Sequence, residues 1–395
     1  MKCLLLPGLL LFACTEFSTQ FERIEDDRVR MLDFMYEPPE AAPGDTVTLR
    51  AVFAGKTVDV DDISWRVSWK VVKNIMGTDT SFEEHSLESL SMLQSDFSDH
   101  TSCIEVRFVI PDDCLLQSPM LPDDWVSLLP DELRDSVPEQ FASMSKSEMV
   151  QLVDSLATVA TTLDAGELVA VGVLVPDLVA QLPLVTQLCT VPVRLFADVA
   201  GAHRIQSDYT VGYTTKFARW PGANVFANTN PRINSAGVYK VEGNGLVRFD
   251  RESDKSEFIQ LYPPGEDTVR IPVDKGYSYF VAVVTGRRDT VYTIGDIMNG
   301  QPPERTEEHS AEWMFRMDPD ETDGLSHNDF MNIASLNDVE GILLPPRKSE
   351  IRHFTIWVQV TDSKLGVLNR SQGSVLAEMQ GVFEYTDEYL GQFEK

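Results

Sequence analysis

The sequence predicts a mainly β protein: two β-sandwiches, the first interrupted by an α-helical insertion. Three observations carry this. Apolar residues recur at every second position in several separate stretches, as in strands with one buried face. Between residues 115 and about 188 the period becomes helical. A length of 395 residues leaves room for more than one hydrophobic core.

The chain opens with MKCLLLPGLLLFAC, Met1 to Cys14. Lys2 supplies a positive start and Leu4 to Phe12 an apolar run too short to span a bilayer, so residues 1–13 are expected to be an export signal. Leu11-Phe12-Ala13-Cys14 resembles the lipobox of bacterial lipoproteins, which implies acylation of Cys14 and a body hanging from a lipid. An ordinary signal peptide cleaved nearby is the alternative. Thr15 follows the cysteine where a sorting aspartate would hold a lipoprotein back, so the resemblance implies the outer membrane. Residues 14–27 are polar and acidic without a sustained period and read as a flexible tether.

The first domain is expected over 28–217. Val47, Leu49, Ala51 and Phe53 share one strand face, and Trp65, Val67, Trp69 and Val71 another. Ile104, Val106, Phe108 and Ile110 repeat the pattern, as do Val191, Val193, Leu195, Ala197 and Val199. Arg204 to Phe217 reads as the closing strand. Pro43-Gly44-Asp45 sets a tight turn between the first two strands.

VRMLDFMYEPPEAAPGDTVTLRAVF, Val29 to Phe53, is similar to the opening of immunoglobulin-like domains in large lipoprotein families of environmental diderm bacteria. There a first strand, a Pro-Pro-Glu…Pro-Gly-Asp-Thr-Val turn and a second strand precede a tryptophan-bearing third strand, here Ile63 to Val72. The resemblance implies two immunoglobulin-like sandwiches on a lipid anchor. It implies no activity, because a fold does not carry one.

The insertion, about 115–188, is placed between the fifth and sixth strands. Pro122, Pro130 and Pro138 each precede an acidic-then-apolar run, as proline at a helix start does. Ser145-Lys146-Ser147-Glu148 has the form of a capping box. Met149, Leu152, Val153, Leu156, Val159 and Leu163 then follow at helical spacing. The insertion is read as cover for a sheet edge, with a binding element as the alternative. Once Cys3 leaves with the signal and Cys14 takes a lipid, Cys103, Cys114 and Cys189 remain. Export permits one bridge among them. Cys114 and Cys189 bracket the insertion and are the favoured pair, with Cys103–Cys114 as the other choice.

The second domain is expected over 222–395, opened by Asn228 to Ile233 after the Trp220-Pro221-Gly222 break. Alternation resumes at Val247 and Phe249, at Val269, Ile271 and Val273, and at Tyr277 to Val283. It returns at Trp313, Phe315 and Met317, and at Phe354, Ile356, Val358 and Val360.

With 33 Lys+Arg against 62 Asp+Glu and a net charge of −29, the chain lacks the basic stripe that nucleic acid requires. Anionic lipid repels such a body, so membrane contact is expected through the N-terminal lipid alone. No nucleophile elbow, zinc-protease helix or phosphate loop occurs, and no catalytic residue is assigned. Glu83-Glu84-His85-Ser86 recurs as Glu307-Glu308-His309-Ser310 and is read as a shared strand entry, not a metal site. Calcium has one weak candidate loop, Asp318, Asp320 and Asp323, whose spacing departs from an EF-hand; a solvated acidic loop is the plainer reading.

The expectation is an exported, lipid-anchored envelope protein of the outer membrane, on its periplasmic or surface face, with a structural or protein-binding role in an envelope assembly. Glycan binding in support of polysaccharide degradation is the alternative. It requires an exposed aromatic row, for which Trp125, Trp220, Trp313 and Trp357 are the candidates. An enzyme of unrecognised type is a third and less favoured reading.

Overall fold

The computed structural model describes residues 23–72, 80–87, 89–93, 97–114, 139–174, 191–199, 204–218, 220, 227–243, 256–265, 268–286, 290–291, 305–318, 331–348, 352–362 and 372–393. The protein is mainly β and folds as two immunoglobulin-like β-sandwiches.

The first sandwich contains β1 (Val29–Glu37), β2 (Thr46–Gly55), β3 (Ile63–Val72), β4 (Thr80–Leu87), β5 (Ser89–Leu93), β6 (Thr101–Val109), β7 (Val191–Val199) and β8 (Arg204–Val211). One sheet runs β1-β2-β6-β5 and the other β4-β3-β7-β8. In chain order this is the immunoglobulin winding: strands one, two, five and six on one face and the rest on the other. The segment after β1 crosses to the second sheet, where Ala41 bridges Val211 in parallel and the Gly212 N–H donates to the Ala41 carbonyl at 2.7 Å. The alternating residues of β2, β6 and β7 fill the space between the sheets, each at most 4% exposed. Trp65 on β3 packs edge-on against Phe34 at 6.1 Å.

The helices lie between β6 and β7, the sixth and seventh strands, not between the fifth and sixth. Neither β4 nor the short β5 is among the strands expected from the sequence. Helices α1 (Glu139–Ala142), α2 (Lys146–Thr162) and α3 (Ala165–Leu174) are the described part of this segment. Ser145 caps α2, its Oγ accepting from the Glu148 N–H while Glu148 Oε2 accepts from the Ser145 N–H at 2.8 Å. Met149, Val150, Val153, Ala157 and Ala160 of α2 are buried in the first core cluster. They meet Phe217 of α4 (Thr214–Phe217), a short helix that ends the stretch expected to be all strand. No helix among the described residues is long and apolar enough to cross a membrane.

The second sandwich holds β9 (Ile233–Glu242), β10 (Ser256–Tyr262), β11 (Val269–Val273), β12 (Tyr277–Thr285), β15 (His309–Met317), β16 (Asn332–Asn337), β17 (Glu340–Leu344), β18 (His353–Asp362) and β19 (Ser374–Tyr385). A two-stranded ribbon, β13 (Thr290–Val291) with β14 (Arg305–Thr306), stands apart, and α5 (Asp387–Leu390) follows β19. The sheets are β10-β9-β12-β17-β16 and β11-β19-β18-β15. Again an early strand, β11, pairs in parallel with the last, β19, as Ala41 does with Val211 in the first sandwich. Trp313, Phe315, Ile356 and Val358 close this core.

A third apolar cluster joins the two bodies. Ile24, Leu32, Val52, Ala54 and Cys103 meet Met314, Trp357 and Leu376. The β1-β2-β6 face of the first sandwich therefore lies on the β15-β18-β19 face of the second, and both sheets are covered on both sides. Residues 23–27, expected to belong to the tether, are held in the junction. Ile24 is 2% exposed, its N–H donates to the Phe315 carbonyl at 2.8 Å, and Arg316 forms a two-pronged ion pair with Asp26. An apolar side chain and a charge pair hold this segment in the junction.

Candidate functional site

The junction concentrates the unusual side chains of the molecule. In β1, the pairing with β2 slips between Met31 and Asp33. This bulge turns two consecutive residues, Leu32 and Asp33, toward the second sandwich, while Val29, Met31, Phe34 and Tyr36 stay with the first core. Asp33 is 2% exposed. Its Oδ1 accepts from Gln359 Nε2 at 2.6 Å and from the Ser374 hydroxyl at 3.1 Å, both on the other sandwich. Its Oδ2 has no donor. Burial pushes the Asp33 carboxyl up to about 7; the Gln359 and Ser374 hydrogen bonds oppose the rise and the Glu312 charge adds to it.

Next to it, two asparagines bind the bodies together. Asn230 Nδ2 donates to the Tyr36 carbonyl at 2.8 Å and to Glu37 at 2.9 Å, and its Oδ1 accepts from the Ser374 N–H at 3.2 Å. Asn228 donates its backbone N–H to Glu40 at 2.8 Å and its side-chain amide to Asp362 at 2.6 Å. Both oxygens of Asp362 also receive the Gly373 N–H at 2.9 Å. A Cβ on Gly373 would stand 2.6 Å from Asp362 Oδ2, so this close approach requires glycine.

Between the sandwiches lies a cleft of about 500 Å³, walled by β1, β8, β15 and β18 and by Gln372 and Ser374. Its rim carries Arg30, Asp208 and Glu312, and Tyr36 lines its interior. Asp208 is held by Arg194 through two hydrogen bonds of 2.6 and 3.0 Å. Burial raises the Tyr36 phenol far above its ordinary value, with Ser207 acting in the opposite direction.

No family model matches this chain. No curated protein matches it either. Among solved structures it is similar to murine CEACAM1b, with 8% identity over 91% of this chain and 100% of that one, at a TM-score of 0.17. A likeness at that score carries no argument, and the fold stands on the strand order described above.

Several residues singled out in the sequence sit elsewhere. Cys14, Cys189, Trp125, Asp320 and Asp323 lie outside the described residues. Cys114 is buried in the first core and Cys103 in the junction, on different sides of the β1-β2-β6 sheet. Asp318 follows β15, where its N–H faces the His353 carbonyl at 3.4 Å. No group of three or more metal-ligating side chains comes together among the described residues. Glu307, just before β15, and His309 at its start form a buried pair at 3.2 Å, whereas Glu84 and His85 are exposed. Trp220, Trp313 and Trp357 are at most 4% exposed. The aromatic row is therefore absent at these three positions: Trp220 and Trp313 fill the two cores, and the first sandwich covers Trp357.

The sequence reading missed Asp33, Gln359, Ser374 and the asparagine pair. A signal did exist in Ala51-Val52-Phe53-Ala54 and in Phe354-Thr355-Ile356-Trp357-Val358. Both are apolar on two faces, as strands buried on both sides are.

Proposed function

We propose that this is a lipid-anchored envelope lipoprotein whose two sandwiches form one rigid body for a protein partner in an envelope assembly. The observation that carries this reading is the junction. Sandwiches joined only by a linker would move independently. Here an apolar cluster, the asparagine pair and the Arg316–Asp26 ion pair tie them together. The junction also takes up Arg23 to Asp26. With acylation at Cys14, the stretch from Cys14 to Arg23 spans at most about 30 Å at full extension. Such an anchor would keep both sandwiches within that reach of the bilayer, which suits docking to a neighbour. Burial of Trp220, Trp313 and Trp357 favours this over glycan binding, which needs open aromatic faces.

The test has two parts. The native protein should incorporate labelled palmitate and partition with membranes, and a Cys14→Ala variant should do neither. Crosslinking in intact cells should then capture a reproducible protein partner. A Cys14→Ala protein that stays with the membrane would sink the anchor, and repeated crosslinking without a partner would sink the binding role.

A further inference from the structure

We propose that the cleft between the sandwiches is a recognition site for a basic side chain, lysine or arginine, presented by a protein partner. This deepens the protein-binding reading and rests on it. The cleft, about 500 Å³, has the volume of a small-ligand site and is shared by strands of both sandwiches, so it exists only where they are joined.

Its chemistry selects a cation. Gln359 Nε2 and the Ser374 hydroxyl donate to Asp33 Oδ1, the Phe34 backbone N–H adds to the stabilisation of the carboxylate, and Oδ2 has no hydrogen-bond partner. A buried carboxylate oxygen in that state lacks a donor that an ammonium or guanidinium would supply. Glu312 on β15 stands exposed at the rim and forms no ion pair among the described residues. Asp208 is already matched by Arg194. Arg30 is the cation facing these acids, and β18 and β19 bring only neutral groups, Gln359, Thr361 and Ser374. Acid is in excess on the wall, as it is over the chain at −29. Met314 lines the same space with apolar surface, which suits the methylene stem of a long basic side chain.

Affinity should track the ionisation of Asp33, because the cation binds the carboxylate and not the acid. The groups facing Asp33 are Tyr36 and Arg30 on its own strand, Asp208 with Arg194 from β8 and β7, and Glu312 from β15. With the carboxyl at about 7, the ionised share rises roughly tenfold between pH 6 and 8, and lysine stays charged throughout.

The experiment titrates the full mature chain by calorimetry with acetyl-Gly-Lys-Gly-amide, using the Nε-acetylated peptide as the neutral control. Saturable binding is expected for the lysine peptide alone, about tenfold tighter at pH 8 than at pH 6. Asp33→Asn should weaken it at least tenfold and flatten the pH profile, and the exposed Glu312→Gln about threefold. Should Asp33→Asn fail to fold, the pH profile of the native chain and Glu312→Gln decide. No saturable binding at pH 8, or equal binding to the acetylated peptide, overturns the site. If both variants still capture the crosslinked partner while binding the peptide as the native chain does, the cleft is excluded and the protein-binding role survives. If the peptide binds through Asp33 and intact cells yield no partner, the cation site stands and the protein-binding role falls.

Discussion

The indole N–H of Trp357 lies 3.2 Å from the Thr101 hydroxyl, across the junction and 256 positions away in the chain. The same N–H reaches Glu378 Oε2 at 3.1 Å, and Glu378 also accepts from Thr101 at 2.8 Å and from the Ser98 N–H at 3.1 Å. Trp357 is fully buried, with Met314, Leu376 and Cys103 in the same cluster. One side chain thus supplies both apolar contact and a hydrogen bond to the opposing sheet.

Trp357→Ala should cost about 3–5 kcal/mol, the range for deleting a large aromatic from a packed site. The loss should fall on the junction rather than on either core. Urea unfolding of the native chain is expected to be a single transition, and that of the variant to separate into two. One unshifted transition in the variant would show that the junction does not couple the sandwiches.

Asp33 makes stability depend on pH in a direction opposite to most carboxylates. Its folded value of about 7 stands above the unfolded value near 3.8, so between these limits the folded chain holds a proton that the unfolded chain releases. The stabilisation is complete below about pH 4 and is lost as pH rises through 7. It amounts to about 4 kcal/mol at most. Asp33→Asn should match the native chain near pH 4 and be the more stable at pH 8. Urea midpoints of both proteins from pH 4 to 8 check this, and parallel profiles would refute it.

Asn228→Ala removes the amide that donates to Asp362 inside a buried cluster. The expected cost is about 1–3 kcal/mol, the penalty for a buried polar group left short of a partner. Because Gly373 still serves Asp362, the variant should fold, with faster amide exchange at Gly373 and Ser374 than in the native chain. Unchanged exchange at both would remove Asn228 from the clamp.

Cys103 reports on separation of the sandwiches. At 2% exposure beneath the opposing sheet it should resist alkylation in the native chain. Trp357→Ala should make it react at least tenfold faster, as measured by mass spectrometry of iodoacetamide-treated protein. Equal rates would mean that the junction stays closed without the indole.

Strands such as β2, β3, β6, β7, β12 and β18 were legible because alternation reports which residues share a face, and the core faces of β2, β6 and β7 obey it without exception, whereas β4, β5, β10, β16 and β17 were not read. The Ser145–Glu148 cap was legible for a similar reason: its partners lie three residues apart. The junction was hidden because periodicity does not say what covers a strand's second face. In β1 it misled outright: strict alternation would put Asp33 with Met31, and the bulge sends them to opposite sides. The bond between Asn228 and Asp362 spans 134 positions and leaves no local trace.

The ion pair between Asp26 and Arg316 has a consequence in time. Its partners are 290 positions apart, so the earliest described residues wait for nearly the last strands to emerge. The first sandwich can form its own core while Leu32, Val52, Ala54 and Cys103 still face water, because their cover arrives with Met314, Trp357 and Leu376. Until the second sandwich has formed, the half-made protein therefore carries an adhesive face, and this is the interval in which it is most exposed to aggregation.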